Sequence, residues 1–226
     1  MKIVIAGAGE VGTHLAKMLS QENQDIILMD PNEERLKFTN NMEVLAMVGN
    51  PTSLKDLQES GIKDADLFIS VTPEEPTNIT ACMLAHSLGA HKTLARINNY
   101  EYLQPKNIEF FQKLGISSMI YPEMLAAREI VTAVQRPWAR QYWELFGGAL
   151  ILIGVKVRDN APIVNKRLTD LSLDQKLYHI VAIKRCNETI IPRGTDHIAS
   201  GDIVFFTTTR EHVKEVQIQT GKSDPE

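Results

Sequence analysis

Three glycines and one aspartate near the start of the chain have the types and spacing to hold a phosphate ester. Gly7, Gly9 and Gly12 stand in the run Gly7-Ala8-Gly9-Glu10-Val11-Gly12, and Asp30 follows 18 residues after the third glycine. In a G-x-G-x-x-G pattern the first glycine permits a tight turn. The second has no Cβ, so a pyrophosphate can approach the backbone, and the third lets a helix lie close to a strand. The free N–H groups and dipole of that helix's first turn favour negative charge. An acidic side chain at the end of the next strand can accept hydrogen bonds from ribose hydroxyls and repels a 2′-phosphate. The expected ligand is therefore a nucleotide with a free ribose, with NAD favoured over NADP.

This chemistry needs a strand, a glycine turn, a helix and a second strand in that order. Lys2–Ala6 (KIVIA) is a short apolar, β-branched run, and apolar Val11, Leu15, Met18 and Leu19 follow at helical spacing. Asp25 to Met29 reads as the second strand, ending at Asp30. Pro31 opens a short polar helix. A third strand, Glu43 to Val48, ends in Gly49-Asn50-Pro51-Thr52. Thr52 or Ser53 caps a helix that Gly61 closes. A fourth strand, Asp66 to Val71, ends in Thr72-Pro73, and a helix from Glu75 to Leu88 carries Asn78. Lys92 to Ile97 is a fifth strand containing Arg96; a helix near 108–114 precedes a sixth strand near 119–121. Six short strands alternating with helices predict an α/β fold, a doubly wound parallel sheet of Rossmann type. Ligands of such sheets bind beyond the carboxyl ends of the strands. The candidate binding residues are accordingly Gly7, Ala8, Gly9, Glu10, Val11, Gly12, Asp30, Asn50, Thr72, Pro73 and Arg96. Arg96 could pair with a phosphate bidentately or with a surface carboxylate.

Composition narrows the function classes. The 226 residues carry 24 basic and 28 acidic side chains, a net charge of −4, which does not suggest a nucleic-acid partner. Cys82 and Cys186 both sit in apolar contexts, which suits a reducing cytosol. The chain opens on a strand, so no signal peptide is expected. The longest uncharged apolar run, Leu145 to Val155, is too short for a bilayer, which needs about 20 residues. The six histidines lack metal-ligand spacing, and no metal site or catalytic set is expected. Tyr102 and Lys106 match the Tyr-x-x-x-Lys spacing of some NAD-dependent oxidoreductases, the alternative reading of the chain. Pro105 between them would break the helix that such a pair must share.

The pattern changes after Pro137. Residues 1–137 form the expected nucleotide-binding domain and 138–148, aromatic and glycine-ended, a hinge or short helix. Residues 149–219 form a small α+β domain, and 220–226 a tail or linker. The second half holds four short strand runs, a short helix from Arg167 to Leu171 and a last helix from Arg210 to Ile218.

Together these segments resemble the RCK (KTN) family, the regulators of potassium conductance. The resemblance rests on GAGEVG, Asp30, VGNPTSLKDLQESGIKDADLFISVT, Asn78 and ARINNYEYL in the first half. In the second it rests on APIVNKRLTDL, HIVAIKR and IIPRGTDHIASGDIVFF. It implies a non-enzymatic regulatory unit that binds NAD or NADH, with ATP or ADP at the same pocket. It also implies a cytoplasmic protein attached to the inner face of the membrane through a potassium transporter subunit. The helix from Pro122 to Arg136, apolar or small around most of its circumference, would cross to a second copy. The resulting homodimers could join into a ring.

Overall fold

The computed structural model describes residues 1–37, 39, 42–174 and 177–222. The chain divides into two compact units, Met1–Ala126 and Ala127–Glu226.

The first unit is a six-stranded parallel sheet in the order β3-β2-β1-β4-β5-β6. Its strands are β1 (Lys2–Ala6), β2 (Asp25–Asp30), β3 (Leu45–Val48), β4 (Leu67–Ser70), β5 (Lys92–Arg96) and β6 (Ser118–Ile120). The helices between them are α1 (Glu10–Ser20), α2 (Glu33–Leu36), α3 (Leu54–Glu59), α4 (Glu75–Ser87) and α5 (Pro105–Lys113). The near-continuous apolar runs of β1 and β4 are what burial on both faces demands, and Val4, Ile5, Ala6 and Phe68 are fully buried. One apolar cluster joins Val4, Leu57, Phe68, Cys82 and Phe111; a second joins Ile3, Ile5, Ala16, Leu28 and Leu36.

Several local expectations change. On α1 Leu15 and Leu19 pack against the core as expected and Gly12 and Ala16 are buried beside them, whereas Met18 is 68% exposed and Val11 39%. The small residues are the buried ones because they let the helix approach the sheet closely. Pro31 precedes the α2 cap, and Asn32 caps it by accepting from the Glu34 N–H. Ser53 caps α3.

Helix α6 (Pro122–Gln135) begins in the first unit and ends in the second, and buries none of its residues. The second unit holds β7 (Gln141–Leu145), β8 (Leu150–Lys156), β9 (Tyr178–Arg185), β10 (Glu188–Ile190), β11 (Ile203–Thr208) and α7 (Val213–Gln219). Its sheet is antiparallel, in the order β10-β9-β11-β8-β7. Alternation puts Ile151, Ile153 and Val155 of β8, with Val204 and Phe206 of β11, into one core.

Four expectations are corrected here. The aromatic segment is not a hinge or helix: Gln141–Leu145 pairs along β8, and Trp138 and Tyr142 pack on the second unit's core. The short helix expected from Arg167 to Leu171 is a 3-10 helix over Leu168–Asp174. The tail begins later than residue 220. Thr220 is fully buried, its hydroxyl donates to the Val216 and Gln217 carbonyls, and its own carbonyl accepts from the Arg158 N–H. Its last four residues, Ser223 to Glu226, lie outside the described residues. Cys186 is exposed in the two-residue β9–β10 turn with φ of 52°, while Cys82 is buried. The apolar context expected for Cys186 does not hold: Lys184, Arg185, Asn187 and Glu188 flank it at the hairpin tip.

Candidate functional site

The strand order reverses between β1 and β4, which makes the carboxyl ends of these neighbours the switch point of the sheet. Gly7 leaves β1 at φ of 103°, a conformation that favours glycine. A Cβ there would meet the Thr72 backbone nitrogen at 3.0 Å, so the turn after β1 lies directly against the turn after β4. A Cβ on Gly12 would collide with the Gly7 carbonyl oxygen, whereas one on Gly9 would meet nothing within 4 Å. Two of the three glycines are thus fixed by packing. The middle one faces open space at the head of α1.

Asp30 is 2% exposed and holds this turn from the neighbouring strand. One carboxylate oxygen accepts from the Ala8 N–H at 2.8 Å and the other from the Asn32 N–H at 2.9 Å. Arg35 lies 3.8 Å from the first. The Asp30 carbonyl accepts from the Gly49 N–H, which ties the end of β3 to the same turn. A carboxylate offers about four lone-pair sites, so acceptor capacity remains.

Asn78 organises the other side. It is 1% exposed on α4. Its Oδ1 accepts from Ser70 Oγ (2.9 Å), the Thr72 N–H (2.9 Å) and Thr72 Oγ1 (2.8 Å). Its Nδ2 donates to the Thr72 carbonyl (3.0 Å) and the Arg96 carbonyl (2.9 Å). Glu75, one turn earlier, accepts from the Asn98 and Asn99 N–H groups at 2.6 and 2.9 Å. The N-terminal turn of α4 therefore braces the ends of both β4 and β5.

Residues from 7 to 96 are in this way joined into one rim, linked in the spatial order Gly49, Asp30, Ala8, Gly7, Thr72, Asn78, Arg96. Two candidates, Asn50 and Pro73, stand apart, as does the side chain of a third, Arg96. Asn50 is exposed and turned into its own loop, where its Oδ1 accepts from Thr52 N–H and Oγ1 and its N–H donates to Asp56. Pro73 is exposed. The Arg96 guanidinium pairs with Glu123 in the first turn of α6. The Glu123 carboxyl is held below the usual range first by its own backbone N–H, then, against the opposing effect of burial, by Arg96. Glu10 and Val11 lie exposed in the first turn of α1.

Sequence reasoning missed Ser70, Glu75 and Glu123. Asn78 was visible as a motif residue but not as a brace. A polar residue in register with Ala81, Cys82 and Ala85 on a buried helix face was the signal available for it. Tyr102 and Lys106 do not share a helix. Tyr102 lies in a 3-10 turn (Tyr100–Leu103), Gln104 is extended, and α5 starts at Pro105.

Comparison with known proteins agrees with this architecture. The TrkA-N domain family matches residues 3–122 and the TrkA-C domain family residues 152–218. The Trk system potassium uptake protein TrkA of Halomonas elongata is 34% identical over 96% of this chain and 48% of its own length. A TrkA homolog of Archaeoglobus fulgidus is 32% identical over 95% of this chain and 48% of its own. The chain thus spans about half the length of the curated relatives it matches. The solved GsuK channel bound to NAD shares the fold at a TM-score of 0.62 and 15% identity, over 100% of this chain and 40% of that one. With both domain families matched in order over the two units described above, the chain belongs to the family built from a TrkA-N domain followed by a TrkA-C domain.

Proposed function

We propose that this chain is the nucleotide-responsive part of a regulatory subunit of a membrane-embedded, Trk-type potassium uptake transporter, and that it is not an enzyme. The observation that carries the reading is the open space above Gly9 at the switch point, flanked by turns that Asp30 and Asn78 hold in place. Phosphates of NAD or NADH, or of ATP or ADP, would lie over Gly7 to Gly12. The spare acceptor capacity of Asp30 suits a ribose hydroxyl, and Thr72, Pro73, Asn50 and Arg96 would complete the rim. To reach a phosphate, Arg96 must exchange Glu123 for the ligand. That exchange would loosen the start of α6 and make the ligand's affinity depend on the helix's placement, which is the requirement for coupling. A cytoplasmic location at the inner membrane face follows from the proposed partner. Among the described residues no helix is long and apolar enough to cross a membrane.

The same reading includes a homodimer, with dimers joining into a ring in the whole protein. Its support is α6, where Leu125, Ile130, Val131 and Val134 are 48–73% exposed. Domain limits near 1–137 and 149–219 belong to the proposal as sequence divisions.

Calorimetric titration with NAD, NADH, ATP, ADP and NADPH tests the site. Binding of at least one ligand with a free ribose, more tightly than NADPH, is expected. Tightest binding to NADPH, or steady turnover of NADH with an added carbonyl compound, would overturn the reading. Light scattering at micromolar concentration tests assembly: a mass near 25.3 kDa throughout would remove the dimer.

A further inference from the structure

The chain is acidic overall, yet one cavity of the second unit gathers cations. Lys156, Arg158 and Lys222 line a cavity of about 500 Å³ together with Val157, Asp159 and Gly201. Lys156 ends β8, Arg158 follows it, and Lys222 lies just beyond α7. Arg140 stands near enough to act on the same group. Burial first, then the charges of Arg158, Arg140 and Lys156, hold the Lys222 ammonium below the usual lysine range. Among the described residues none of these four cations pairs with a carboxylate. Among the described residues lining the cavity one is a carboxylate, Asp159, and it accepts from the Ser200 hydroxyl.

The walls are pinned by backbone. The Arg158 N–H donates to the Thr220 carbonyl, the Val157 N–H to the Asp202 carbonyl, and the Gly201 N–H to the Val157 carbonyl. A Cβ on Gly201 would meet nothing within 4 Å, so the turn's backbone is open to an incoming group. Among the described residues that line the cavity, three cations on strand and helix ends face a single carboxylate, and this excess costs repulsion that a bound anion would relieve.

We propose that this cavity is a second anion site, separate from the glycine turn, which binds a phosphate-bearing ligand. Arg158 supplies a fork able to grip two phosphate oxygens, and Lys156 and Lys222 supply point charges. The phosphate could belong to a free polyphosphate or to an anionic lipid headgroup.

The test uses the full chain. Amide NMR spectra are followed during titration with inorganic pyrophosphate, in the presence of saturating NADH. Vesicles of phosphatidylglycerol and of phosphatidylcholine are compared by co-sedimentation. Shifts at residues 156–160, 200–201 and 222 are expected. The Lys156→Ala/Arg158→Ala variant should weaken them by about tenfold or more, the scale of losing charge-assisted contacts, and its glycine-turn amides should still respond to NADH. Pyrophosphate shifts without vesicle binding would support a free phosphate. Selective binding to phosphatidylglycerol, lost in the variant, would support a headgroup. Absence of both, or full-strength binding in a folded double variant, would overturn the proposal.

Discussion

Replacing Asn78 by Ala removes five hydrogen bonds from one buried position. The cost follows from what is left behind. Ser70 Oγ, on a fully buried residue, loses its acceptor, and so does the Thr72 N–H. Each stranded donor costs roughly 1–3 kcal/mol. A loss of about 2–5 kcal/mol is therefore expected, large for a single change. At about 2 kcal/mol per molar urea this moves the midpoint of the first unit down by about 1–2.5 M. The choice of probe matters. Trp138 and Trp143 both belong to the second unit, so indole emission would not follow the transition. Hydrogen exchange of peptides covering β4 and β5 would. Asn78→Asp is the companion variant: it keeps the acceptor but turns negative charge toward the Thr72 and Arg96 carbonyls. It should be no milder than Ala. If the Ala variant lies within about 0.5 kcal/mol of wild type, as a surface residue would, the brace is not what holds these strand ends.

Three further outcomes are expected. Gly9→Val should leave the fold intact, because its side chain enters open space, and should abolish calorimetric nucleotide binding; Gly12→Ala should damage the fold itself, which circular dichroism would show. Acid should loosen the second unit through Asp202. Burial pulls this carboxyl up, but Arg185 and the Ala199 N–H outweigh it and hold it below the usual range. Its contribution is then fully present above the unfolded value of about 3.9 and is lost as pH falls through the lower folded value. Arg185→Met should move the acid transition, read by tryptophan emission, to higher pH; coincident transitions would refute this. A thiol reagent should label Cys186 alone in the native chain, because Cys82 is buried and its thiol pushed up to about 12. Two fast equivalents by mass spectrometry would contradict the burial.

Much of the first unit was legible because parallel strands buried on both faces are continuous apolar runs, and glycine turns mark where they end. Position along the chain therefore located Asp30, Thr72 and Arg96 on one edge of the sheet. What their side chains do there was hidden. Asp30 and Asn78 turn inward to backbone amides and carbonyls, partners that leave no mark in sequence. Arg96 finds Glu123, 27 residues away. In the second unit the alternation of β8 and β11 was plain. Strand β7 was not: its burial is weak, only Tyr142 among its residues being half-buried. Pairing with β8 decides its conformation where composition suggested a hinge.

The strand order also dictates when the site can exist during synthesis. Of the neighbours of β1, β2 follows it directly in the chain, whereas β4 arrives more than 60 residues later. Until then one edge of Ile3-Val4-Ile5 is unpaired, an invitation to mispairing. Docking of β4 closes that edge and brings Thr72 against Gly7 in the same event. A nascent chain stalled before residue 67 would hold a complete glycine motif and no crevice. Ligand present during translation can then act only after the most aggregation-prone interval has passed, and it stabilises the finished sheet rather than guiding its assembly.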